Sequence, residues 1–169
     1  MSIGQARMNQ TSLLPSNTEV VVIGAGVIGC SVAYHLAQAG WTDVVVIERD
    51  RLTSGTTWHA AGLLTTLRET ETQTRLAKYT QELYRRLGRE TGLETGFIGC
   101  GSLQLATTLE KAEEMRRACA AAQCFDVRCE EISVAEASAL WPLADLRDVV
   151  AAFHFPDDAR CNPVDVTNA

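Results

Sequence analysis

The sequence is short of positive charge: 15 Lys and Arg stand against 21 Asp and Glu in 169 residues, a formal net charge of −6. That balance argues against a nucleic-acid partner, which needs a basic face. Long apolar runs are also missing, and none approaches the ~18–20 residues that a membrane span requires. Residues 1–19 hold one Arg and no apolar core, so no signal or transit peptide is expected and the cytoplasm is the expected location. No CxxC pair occurs among the six cysteines, Cys30, Cys100, Cys119, Cys124, Cys129 and Cys161. The spacing of five between Cys119, Cys124 and Cys129 turns helical neighbours to different faces, so no zinc or iron–sulfur centre is expected. Free, mostly buried thiols in a reducing compartment are the expectation.

What is present is a globular composition, 46% hydrophobic and 21% charged, with the length of one domain. Residues 1–18 read as a flexible polar lead. Residues 19–23 read as a fully buried strand, a helix follows to about Gln38 with Ile28, Val32 and Leu36 inward, and Val44–Ile47 reads as a second buried strand. This is a β-α-β unit with parallel strands and a right-handed crossover. The stretch 52–67 is too polar for core and too apolar for a linker, as a loop shaped around a ligand would be. A long amphipathic helix runs from about residue 69 to 86 or beyond, with Leu76, Thr80, Leu83, Tyr84 and Leu87 as its buried stripe and Gly88 or Gly92 as its end. A strand, turn and strand are expected around residues 99–101, and a capping box at Thr107 with Glu110 opens another helix, with Ala112, Met115, Cys119 and Ala122 inward. Residues 126–129 read as a strand, Ser133 with Glu136 as a second capping box, and residues 149–155 as a strand. Asn162 with Pro163 is an N-cap and N1 pair.

Gly24, Gly26 and Gly29 form a GxGxxG that follows a strand and opens a helix, with an acid, Glu48, 24 residues after the first glycine. That context meets the requirements of a dinucleotide fingerprint. Gly24 permits the tight turn, Gly26 lets the backbone approach a pyrophosphate, and Gly29 lets helix pack on strand. The Val27 and Ile28 amides lie at the positive end of the helix dipole, where they can donate to phosphate. Glu48 is suited to ribose hydroxyls and repels a 2′-phosphate, which disfavours NADP. FAD and NAD are not separated by this motif.

The next segment, Arg51 to Leu63, closely resembles that of dimethylglycine and sarcosine dehydrogenases, which are D-amino-acid-oxidase-like flavoproteins. Its most specific part is Gly55, Thr56, Thr57, Trp58, His59. Glu90 to Gly92, Gly101 and Ser102, Trp141 to Leu143 and Phe155 to Asp158 follow in the family's order. The resemblance implies a Rossmann-type FAD-binding β-α-β unit at 19–67, part of a doubly wound parallel sheet incomplete in this chain. Residues 68–169 would be a helical segment and the start of an α+β substrate domain. It implies FAD contacts at Val27 and Ile28 (pyrophosphate), Glu48 and Arg49 (ribose), and Gly55, Thr56, Thr57, Trp58, His59, Ala60, Ala61, Gly62 and Leu63 (flavin end). In these dehydrogenases the histidine matching His59 is bonded to the flavin 8α-methyl carbon.

The implied reaction is oxidation of a small N-methyl amine such as dimethylglycine or sarcosine by hydride transfer to flavin N5, with hydrolysis to formaldehyde. A tetrahydrofolate-binding domain further along the gene is part of the same implication. Arg68, Arg75, Lys78, Arg85 and Arg86 read as a solvated helix face, and His154 as an outward strand residue. Ala159 stands where the family usually has Gly, which would strain a turn that needed positive φ. The sequence reads as an N-terminal piece, expected to fold poorly and to lack dehydrogenase activity by itself. The alternatives are a non-catalytic regulatory relative, such as the regulatory subunit of pyruvate dehydrogenase phosphatase, and an NAD-dependent dehydrogenase fragment.

Overall fold

The run of β-branched residues Val20–Ile23 forms β1 and Val44–Ile47 forms β2, residue types that fit a pleated surface. They pair in parallel, Val20 with Val44 through Ile23 with Ile47, and α1 (Val27–Gln38) crosses between them. The computed structural model describes residues 15–169, so most of the expected 1–18 lead lies outside the described residues. The expectation of fully buried strands is corrected. Ile23 is 86% exposed and Val21 about half exposed, because among the described residues one helix covers one face of a two-stranded sheet. On α1 itself Ile28 is 78% exposed and no residue is fully buried.

After β2 comes one 3-10 turn, Thr57–His59, then the two-residue strand β3, Leu63–Leu64. Helix α2 spans Glu71–Thr91, with Thr70 as N-cap and Gly92 in the left-handed region (φ 74°) as its stop. Its buried residues are Thr74, Gln81, Leu83 and Leu87, whereas Leu76, expected inside, is exposed. The basic residues are not one solvated face. Arg68 precedes the helix, and the Lys78 ammonium donates to the Phe125 and Asp126 carbonyls at 3.0 and 3.1 Å. Arg75 with Glu71, Arg85 with Glu82 and Arg86 with Glu90 are surface pairs along the helix of the kind that adds little stability.

The chain around residues 99–101 does form strand, turn and strand, but not a hairpin. β4 (Ile98–Gly99) joins a sheet ordered β3-β8-β4, where β8 is Ala159–Arg160, and β5 (Ser102–Ala106) joins a separate antiparallel sheet. That second sheet is ordered β5-β7-β6, with β6 at Glu130–Ile132 and β7 at Ala151–Phe155. Gly101 (φ 69°) makes the change of direction, and His154 of β7, half-buried rather than outward, stands so close that a Cβ there would lie 2.9 Å from its Nε2.

Helix α3 (Leu109–Gln123) covers one face of this sheet. Phe153, with no exposed surface, packs there with Ala112, Met115 and Ala122. Its N-cap is Thr108, one residue beyond the expected Thr107, which places Lys111 rather than Glu110 at N3 and removes the capping box. Residues 126–129 are not a strand, because Asp126 is left-handed (φ 52°) and breaks the extended chain before β6. Helix α4 (Val134–Leu140) carries the expected capping box between Ser133 and Glu136 and lays Ala137 against Ala152 on the opposite face. Helix α5 (Pro163–Asn168) opens on Asn162, whose Oδ1 accepts from the Val164 and Asp165 amides. Ala159 is buried in β8 and is not among the residues with positive φ, so the departure from glycine there carries no strain.

The reading of six free, mostly buried thiols is also corrected. Cys119 on α3 and Cys129 ahead of β6 form a disulfide, their Cα atoms 5.4 Å apart and so within ordinary bridging range. Helical spacing ceased to matter because Cys129 lies beyond the helix end. Of the remaining cysteines, Cys161 is buried, whereas Cys100 and Cys124 are exposed.

Candidate cofactor site

The turn from β1 into α1 is built for close approach. Gly24 takes φ 98°, and its amide donates to the Ile47 carbonyl at 2.7 Å, which ties the turn to the end of β2. A Cβ on Gly29 would stand 1.8 Å from the Gly24 carbonyl oxygen, so α1 rests directly on the turn. A Cβ on Gly26 would stand 2.9 Å from Thr57 Oγ1. The Val27 amide donates to that same hydroxyl at 3.0 Å, which leaves the Ile28 and Gly29 amides as helix-end donors without an acceptor among the described residues. Thr57 itself is buried, and its hydroxyl hydrogen has no acceptor among the described residues.

Glu48, at the end of β2, accepts from the Ala25 amide at 2.9 Å and the Asp50 amide at 3.1 Å. Those bonds, the one from Ala25 foremost, hold its carboxyl below the usual carboxylate range. A lowered folded value means the latch is fully present above the ordinary carboxylate value and is lost as pH falls through the lowered one. Glu48→Ala is therefore expected to release Ala25 at every pH and to reduce nucleotide uptake on refolding. Bound cofactor per chain checks this, and unchanged occupancy would remove Glu48 from the ribose position.

Beside Glu48 lies a groove of about 560 Å³ lined by Ala25, Cys30, Ala33, Val46, Asp50 and Leu52. Sequence reasoning missed this slot, although Cys30 and Ala33, small residues three apart on α1, mark the face turned to β2. Arg49 is exposed beside it.

Residues 55–63 form an outward-facing loop. Its upstream end is held by the Val27–Thr57 bond. The Trp58 indole donates to the Ser54 carbonyl at 3.2 Å, and the Trp58 and His59 rings lie 3.7 Å apart at a 31° tilt, both exposed. Ala60 and Ala61 follow, also exposed. Gly62 (φ 71°) crosses so near β8 that a Cβ would meet the Cys161 carbonyl oxygen at 2.1 Å. Leu63 beyond it is 69% exposed. The structure thus brings the expected residues into two groups: the turn, Glu48 and its groove, and the loop carrying Trp58, His59 and Leu63. A glycine cradle with unused helix-end amides as donors and a fixed carboxylate as acceptor are the groups that a dinucleotide needs.

Among known proteins the chain is similar to 4-methylaminobutanoate oxidase (formaldehyde-forming) of Paenarthrobacter nicotinovorans, 44% identical over 92% of this chain and 19% of that protein. It is 40% identical to mitochondrial sarcosine dehydrogenase of Homo sapiens over 89% of this chain and 16% of that protein. The chain therefore spans less than a fifth of the length of these relatives. Among solved structures, L-proline dehydrogenase from P. horikoshii superposes with a TM-score of 0.85 at 31% identity, covering 92% of this chain and 41% of that one. The family model for FAD dependent oxidoreductases of the DAO type matches residues 19–169. With that match running from β1 to α5 across the glycine cradle and the loop, the chain belongs to the DAO family of FAD-dependent oxidoreductases.

Proposed function

We propose that this chain is the cofactor-holding part of an oxidoreductase that demethylates a small N-methyl amine or amino acid and carries its FAD covalently on His59. The observation that carries the reading is the Trp58–His59 pair, stacked and exposed on a loop anchored at the dinucleotide turn. The Ile28 amide and the Thr57 hydroxyl hold the pyrophosphate, and Glu48 takes the ribose hydroxyls. Ala33, Val46 and Leu52 line the slot for the adenine ring. His59 fixes the flavin end through an imidazole nitrogen, and Trp58 limits where that imidazole can swing. When bound, the flavin supplies the two-electron acceptor for the hydride that leaves the amine's methyl carbon. Water then cleaves the resulting iminium to formaldehyde and the demethylated amine.

The test uses the intact gene product under anaerobic conditions with sarcosine, dimethylglycine and 4-methylaminobutanoate. Bleaching of the flavin bands with one formaldehyde released per flavin is the expected result. A protein that holds flavin but is bleached by none of these while other amines or hydroxy acids bleach it would overturn the substrate class. One purified without any flavin would point to the non-catalytic, regulatory reading.

A further inference from the structure

The loop at 55–63 is anchored at both ends, and the downstream anchor is out of proportion to its strand. β3 is two residues long and pairs with β8 through Leu63 with Arg160 and Leu64 with Ala159, with one further bond from the Cys161 amide to the Gly62 carbonyl at 2.9 Å. Such a short pairing holds a register weakly. What supports it is a buried carboxylate. Asp158 is 1% exposed, and its Oδ1 accepts from both the Thr66 amide at 2.8 Å and the Thr66 hydroxyl at 2.5 Å. Its Oδ2 accepts from the Ser102 hydroxyl at 2.6 Å, and its own carbonyl accepts from the Gly101 amide at 2.8 Å. No cation pairs with it among the described residues.

Three stretches of chain distant in sequence therefore meet on one acceptor-only group: the exit of the loop at Thr66, the start of β5 at Ser102, and the turn between β7 and β8. Gln81 of α2 adds a fourth tie, donating to the Leu64 carbonyl at 2.7 Å. A buried carboxyl group held by neutral partners alone is a costly way to fasten a loop, and an apolar side chain would cover the same space. It is repaid where the position of the fastened segment matters.

We propose that Asp158 is a positioning residue for the flavin: by clamping Thr66 to Ser102 it sets where β3, and with it His59 and Leu63, stand relative to the β5-β7-β6 sheet. This rests on the reading that residues 55–63 meet the flavin end of the cofactor. It acts through the loop and touches no reacting atom.

The variants Thr66→Val, Thr66→Ser and Asp158→Asn separate this role from general stability. Valine keeps the shape and removes the hydroxyl donor, whereas serine keeps the donor. Phe153→Leu loosens the core under α3 while removing none of the clamp's hydrogen bonds and serves as the stability control. Apo-protein from the intact gene is mixed with FAD, and covalent attachment is timed by flavin retained after acid precipitation. Attachment exchanges one imidazole N–H and one methyl C–H for the new C–N bond, with two protons and two electrons passing to dioxygen as hydrogen peroxide. Visible circular dichroism of the bound flavin gives a second readout that needs no covalent bond.

Thr66→Val is expected to attach flavin at least tenfold more slowly and to alter the dichroism. Thr66→Ser and Phe153→Leu should behave as wild type in both, and Asp158→Asn, if it folds, should fall with Thr66→Val. Wild-type rate and dichroism in Thr66→Val would overturn the proposal, as would equal slowing in Phe153→Leu. A wild-type protein whose flavin is fully extractable sinks the His59 assignment instead, and the dichroism of the Thr66 pair then decides the role of Asp158 alone.

Discussion

A His59→Ala variant of the intact gene product is expected to release essentially all of its flavin into the acid supernatant, where wild type keeps it in the pellet. The backbone around His59 is held by bonds that the substitution leaves in place: the His59 amide donates to the Thr56 carbonyl at 3.1 Å and the Ala60 amide to Thr57 at 3.2 Å. Non-covalent FAD binding should survive, because the turn at Gly24–Gly29 and Glu48 belong to the other group of residues. Trp58 loses its stacking partner, which lies 3.7 Å away, and its fluorescence should change accordingly. A pellet from His59→Ala that retains as much flavin as wild type would place the attachment elsewhere or remove it.

Gly29→Ala is expected to have the largest effect on the fold of the β-α-β unit. The added methyl would sit 1.8 Å from the Gly24 carbonyl oxygen and 3.0 Å from its carbon, both backbone atoms of the turn. Neither can swing aside, so α1 must lift off β1 or the turn must open. The cost should reach or exceed the ~1–3 kcal/mol usual for an overpacked core. Gly55→Ala is the matched control, since a Cβ there meets nothing within 4 Å. Urea midpoints compared between the two variants make the check. Equal midpoints would mean that α1 does not rest on the turn.

Local chemistry was readable wherever a residue acts within a few positions of itself. Ser133 and Glu136 close their capping box, and Asn162 caps the helix that Pro163 opens, because both motifs need only three or four consecutive residues. The glycine spacing and Glu48 were readable for a related reason, since each glycine is required by a backbone approach inside one turn. Thr107 with Glu110 shows how narrow that margin is: the cap slid by one residue to Thr108, and the pattern failed. The 126–129 reading failed because a left-handed Asp126 does not announce itself in a polar segment.

The remainder depends on partners distant in sequence. β3, β4 and β8 are two residues each, too short to show a period, and exist only because β8 pairs with the other two. β4 and β5 are separated by two residues yet serve different sheets, a division set by which strand each one meets. The Cys119–Cys129 bond and the Asp158 clamp join segments 10 to 92 residues apart, and no local pattern encodes such a pairing. The sequence by itself determined the parallel β-α-β unit, its glycine turn and the acid beyond it, since steric and hydrogen-bonding demands within short spans leave few alternatives. Only the tertiary structure decided which apolar surfaces are covered, which cysteines meet, and how the loop bearing His59 is held, because burial and pairing are properties of what folds against a segment.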